Sequence, residues 1–110
     1  MAKGSSNGIR LDAVDTAIAQ GNIVSNCNRG ILVEDSTHLV VTGNSFRGLN
    51  AQGVLLRTTD ASKSISVHFT NNQVSDNADA GIVEQGSGTF DTHYLFNDLR
   101  GNASGAFQNV

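Results

Sequence analysis

Four residues stand four places after a recurring glycine: Asp12 after Gly8, Glu34 after Gly30, Arg57 after Gly53 and Gln85 after Gly81. If the chain repeats in space as it does in sequence, Asp12 and Glu34 stack as a carboxylate pair about 5 Å apart, one strand spacing. That is close to the ~5–5.5 Å between the two carboxyls of a retaining glycosidase. Two like charges at that distance would keep one carboxyl protonated and leave the other ionised, an acid beside a base. Arg57 above them could hold a substrate carboxylate. The plainer reading is a solvated surface column in which Arg57 offsets acidic repulsion, because any stacked repeat generates such pairs by chance.

Two histidines share a second register. His68 and His93 each lie four places before an Asn, with Val40 and Ile18 at the same place in earlier units. Stacked outward, they could form a sugar-stacking or proton-transfer surface, or an ordinary strand face with half-covered rings. Two histidines without a third ligand make a poor zinc site. His38 reads as an exposed residue in the turn after Asp35-Ser36-Thr37. Glu34, Asp35, Asp60 and Asp91 fall in the variable turns, where oxygen ligands would suit calcium, yet neither EF-hand spacing nor a nonapeptide repeat is present. Gly86-Ser87-Gly88 is a turn with no phosphate-loop lysine. No metal site and no cofactor are expected.

What would position these groups is a repeat. Gly followed by an apolar residue recurs at Gly8, Gly30, Gly53, Gly81 and Gly105, at intervals of 22, 23, 28 and 24 residues. An Asn with an apolar residue two places on precedes each later one: Asn22, Asn44, Asn72 and Asn97. Four places after those come Asn26, Gly48, Asp76 and Gly101, all suited to turns. Between the signals, apolar residues alternate with period two, as in Ile31/Val33, Val54/Leu56 and Ile65/Val67/Phe69. No stretch keeps a helical spacing; Leu11 to Gln20 can be forced into one only against its neighbours' register. The reading is an all-β solenoid of four to five coils, a right-handed parallel β-helix without a capping helix. An Asn ladder of Asn22, Asn44, Asn72 and Asn97 would run through one turn. The absence of proline fits strands paired on both sides. Cys27 stands where other coils have Leu49, Asn77 and Asn102, and reads as a small space-filler. Asn102-Ala103-Ser104 belongs to an Asn ladder rather than to a glycosylation site.

The stretches GNIVSNCNRGILVEDSTHLVVTGNSF and NNQVSDNADAGIVEQG resemble the parallel β-helix repeat of the right-handed β-helix, or pectate-lyase-like, superfamily. The resemblance covers about nine tenths of the chain and implies kinship with polysaccharide lyases, glycoside hydrolases, uronan epimerases and phage tailspikes. It also implies an extracellular or virion-associated setting, although the chain shows no signal peptide. It specifies the fold and not the reaction. The family's catalytic signatures Asn-Thr-Asp, Asp-Asp, Gly-His-Gly, Arg-Ile-Lys and Asp-Pro-His-Glu are all missing, so no catalytic residue carries over.

Composition narrows the partners. Of 110 residues, 29 are Leu, Ile, Val or Phe, enough for a core and above the ~20% typical of disorder. A net charge of −3 gives no footprint for nucleic acid or anionic membrane, and no apolar run approaches the ~18 residues of a spanning helix. A single cysteine excludes an internal disulfide. Residues 1–7 read as a leader, disordered or left from cloning, and residues 8–110 as one β-helix module. With no cap at either end, the chain reads as a piece of a longer β-helix or as a small protein covered by partners. The expected function is a polysaccharide-binding module of a larger carbohydrate-active protein, not catalytic alone. A structural or self-assembling solenoid is the first alternative and a small glycosidase using Asp12 and Glu34 the second. Arg57, His68 and His93 are the candidate binding residues. Leu32, Leu55 and Val83 share one outward place and should form an exposed apolar stripe through which the chain associates as a homo-oligomer.

Overall fold

The structure, a computed structural model, describes residues 7–110. Among them there is no helix; twelve strands carry the fold. Each full coil contributes one strand to each of three parallel sheets. Sheet A stacks β1 (Asn7–Asp12), β4 (Arg29–Glu34), β7 (Val54–Arg57), β10 (Ile82–Gln85) and β12 (Phe107–Asn109). Sheet B stacks β2 (Asp15–Gln20), β5 (Thr37–Thr42), β8 (Ser64–Thr70) and β11 (Thr89–Leu95). Sheet C stacks β3 (Ile23–Val24), β6 (Ser45–Arg47) and β9 (Gln73–Ser75), extended by a bridge from Gln73 to Asp98. The stretch Leu11 to Gln20 is strand, not helix. Asn7, expected in the leader, is part of β1 and pairs with Arg29; the rest of the expected leader lies outside the described residues.

The register follows the repeat. Ile9, Ile31, Val54 and Ile82 align, as do Leu11, Val33 and Leu56, and Ala17, Leu39 and Val67 align on sheet B. Their side chains fill the lumen with Phe46 and Phe69, whose rings stack at 6.5 Å. Burying each Leu, Ile or Phe contributes about 1.5–3 kcal/mol. Gly8, Gly30, Gly53 and Gly81 are required by close approach: a Cβ on Gly30 would lie 2.6 Å from both the Gly53 carbonyl oxygen and Phe46 Cδ1.

The Asn ladder closes one corner. The backbone N–H and Nδ2 of Asn22 both donate to Asn44 Oδ1 (2.9 and 3.0 Å), those of Asn44 to Asn72 Oδ1 (3.0 and 2.9 Å), and those of Asn72 to Asn97 Oδ1 (2.9 and 3.2 Å). Nδ2 of Asn44, Asn72 and Asn97 also donates to the carbonyls of Ala19, Val41 and Phe69, which leaves the buried amides of Asn44 and Asn72 satisfied. A shorter ladder joins Leu49 N–H to Asn77 and Asn77 to Asn102; Cys27 and Leu49 fill the same place in the earlier coils, and both are buried. Asn26, Gly48, Asp76 and Gly101 all take positive φ, from 57 to 75°, as the turn pattern requires.

Three expectations are corrected. Leu32, Leu55 and Val83 do share an outward place, but they are only 3, 2 and 3% exposed and form a second buried cluster with Ala80. The stripe is therefore not an exposed surface. His38 is exposed but lies inside β5 rather than in a turn, and Glu34 and Asp91 lie in β4 and β11 rather than in variable turns.

Candidate functional site

On sheet A, Asp12, Glu34, Arg57 and Gln85 pair in register as one column. Glu34 is held at both oxygens. Arg57 Nη2 and Nε reach Oε2 at 2.6 and 2.8 Å, and Arg10 Nη2 reaches Oε1 at 3.1 Å. The same Arg10 Nη2 lies 3.4 Å from Asp12 Oδ2 and so bridges the two carboxylates. Arg57 therefore faces Glu34 of the chain itself, and Arg10, which sequence reasoning passed over, completes the clamp. A carboxylate whose two oxygens both accept from guanidiniums is held fixed in place. A general acid or nucleophile needs a free oxygen.

A second carboxylate was missed. Glu84 aligns with Val33 and Leu56 on the inward side of sheet A. Its Oε2 accepts hydrogen bonds from Tyr94 Oη and Thr92 Oγ1, each at 2.6 Å. Burial, then the bond to Glu84, pushes the Tyr94 phenol well above its ordinary pKa. The signal was a glutamate at an apolar place of the repeat.

Sheet B brings the histidines together as expected. Ile18, Val40, His68 and His93 form one outward column, with the two imidazoles stacked at 4.8 Å and 9° between planes. A hollow of about 150 Å³ beside them is lined by His38, Ser66, Asp91 and both rings. His38, at φ 57°, donates its N–H to Ser66 Oγ (2.7 Å), and its Nδ1 lies 2.7 Å from Asp15 Oδ1. That contact, then the Thr37 hydroxyl, holds the Asp15 carboxyl below the usual carboxylate range. His93 Nε2 lies 3.0 Å from Asp91 Oδ1. The face thus offers ring surface, ring nitrogens and carboxylates side by side, with the apolar side chains of Ile18 and Val40 in line.

Sheet C carries the larger hollow, about 260 Å³, lined by Arg47, Gln73, Ser75, Asp76, Asp98, Arg100 and Gly101. None of these was singled out as a binding residue. A signal existed: the third place after each ladder Asn reads Ser25, Arg47, Ser75 and Arg100. Among the described residues no group of three or more His, Cys, Asp or Glu could hold a metal ion, and no helix is long and apolar enough to cross a membrane.

A family model described as right handed beta helix region matches residues 1–99. No curated protein and no solved structure matches the chain.

Proposed function

The chain belongs to the right-handed β-helix family, and we propose that it is a polysaccharide-binding module of a larger carbohydrate-active protein, holding glycan on the outer face of sheet B without cleaving it. The observation that carries this reading is the column of Ile18, Val40, His68 and His93 beside the hollow of His38, Ser66 and Asp91. Sugar rings present C–H patches and hydroxyls together. They need apolar or ring surface flanked by a few fixed polar groups, and this column supplies both at intervals of one coil. The reading gives Asp12 and Glu34 no chemical step, since Arg10 and Arg57 occupy Glu34.

The test is a panel of soluble neutral and acidic polysaccharides titrated into ¹⁵N-labelled protein. Amides of β5, β8 and β11 around His68 and His93 should shift, and replacing both histidines by Ala should weaken binding by tenfold or more. If no member of the panel moves these amides, the structural solenoid without a ligand becomes the better account.

A further inference from the structure

We propose that the hollow on sheet C is a separate subsite that takes a single neutral pyranose ring. Calling the ring a sugar rests on the glycan-binding reading above; the hollow itself does not depend on sheet B.

Ser75 carries the argument. Its register partner Arg47 and the inward Val74 place its side chain on the outer face, and it lines the hollow. The residue is 3% exposed, and its Oγ is buried with no hydrogen-bond partner. Buried hydroxyls in folded proteins are paired, so an unpaired one in the lining of a hollow points to a group that pairs with it when the hollow is filled. At ~30 Å³ for each water, 260 Å³ holds several waters, more than one bridging water would fill. It is smaller than the ~300–1,000 Å³ of pockets for larger ligands. One ring matches that size.

Charge selects the class. Arg47 Nε lies 3.1 Å from Asp76 Oδ2, and Arg100 Nε and Nη2 lie 2.9 and 2.8 Å from the two oxygens of Asp98. The bonds from Arg100 hold the Asp98 carboxyl below its usual range, with Arg47 adding to the effect, while Arg100 in turn feels Asp76. The four charges therefore act as one set, and they sum to zero. An anionic ligand would meet Asp76 and Asp98, and a cation would meet both guanidiniums. A neutral hydroxyl donates to a carboxylate and accepts from a guanidinium at once. The free Nη groups, the Gln73 amide and Ser75 Oγ supply the remaining donors and acceptors. Gly101, at φ 75°, keeps the wall open, since a side chain there would collide with Asp76 Oδ1.

The experiment titrates the ¹⁵N-labelled chain with methyl glucoside, methyl galactoside and methyl mannoside, and separately with sodium methyl galacturonoside, up to the millimolar range of a single-ring site. At least one neutral glycoside should shift the Gln73, Ser75 and Gly101 amides saturably. Ser75→Ala, which only removes the hydroxyl, should weaken that binding about tenfold. Arg47→Ala should weaken it independently. A stronger response to the galacturonoside, or an unchanged affinity in Ser75→Ala, would overturn the proposal. Silence at these three amides while polysaccharide still moves sheet B would overturn it and leave the function above standing. A response here with sheet B silent would support the subsite and remove the sheet B reading.

Discussion

β4 and β5 are six-residue strands of the same coil, yet they are buried in different ways. From Gly30 to Glu34 every residue of β4 is hidden, whereas β5 alternates between covered and wet. The outward Leu32 and Leu55 of sheet A are lost to solvent, while the outward Ile18 and Val40 of sheet B are 70 and 36% exposed. Sheet A is a wall between two apolar clusters and sheet B a wall between the core and water. A near-continuous apolar run such as Gly-Ile-Leu-Val is what a strand covered on both faces looks like, and clean alternation marks a strand with one wet face. An apolar side chain on the outer side of a sheet is thus no docking surface until its cover is known. The contrast extends to polar groups. Glu34 and Glu84, 7 and 6% exposed, each need dedicated partners, while the Asp15 and His38 side chains lean on each other in open water.

The sharpest way to break this contrast is to place one lysine on each wall. Leu55→Lys should destabilise the chain by about 4 kcal/mol or more, because it buries a charge with no partner. Val40→Lys should stay within about 0.5 kcal/mol of the parent. Urea melts decide, and similar losses in both would erase the distinction. Of intermediate size is Tyr94→Phe, which removes one of two hydroxyls from Glu84 and should cost about 1.5–3 kcal/mol in thermal unfolding. A negligible loss would mean that water reaches Glu84 and that sheet A is less closed there than its burial indicates. The smallest effect belongs to Asp15 on the wet wall. Its carboxyl is held low in the folded chain, so its contribution is complete above the unfolded value of about 3.9 and fades as pH falls through the folded one. The parent should melt slightly above Asp15→Asn near neutral pH, and the gap should close below about pH 4. A gap that persisted in stronger acid would assign the difference to packing rather than to charge.

The long ladder was legible because a stacked amide pairs best with its own kind in the next coil, so Asn22, Asn44, Asn72 and Asn97 recur in step. The left-handed turn residues were legible for a similar reason, since few residue types tolerate positive φ. The column of Asp12, Glu34 and Arg57 and the stacking of His68 on His93 followed from register alone. The burial of Leu32 and Leu55 did not, because register shows which face a side chain takes and not what lies over that face. Arg10 escaped notice because it sits on the Leu32 row and reaches sideways to the acids of the next row. The sheet C hollow escaped because its two arginines share an offset but skip the coil between, where Ser75 stands, and its two acids come from other offsets.

Every Asn-to-Asn bond of the long ladder runs one way. Each side-chain oxygen accepts from the Asn of the coil before, and each Asn donates to the side-chain oxygen of the coil that follows. The column therefore has a head and a tail that are not interchangeable. A two-fold axis, which would set tail against tail, cannot continue it. Only translation along the axis can, by another coil or by another copy stacked in the same sense. Any contact that extended this ladder between molecules would be heterologous and unclosed, and its natural product is a filament rather than a dimer.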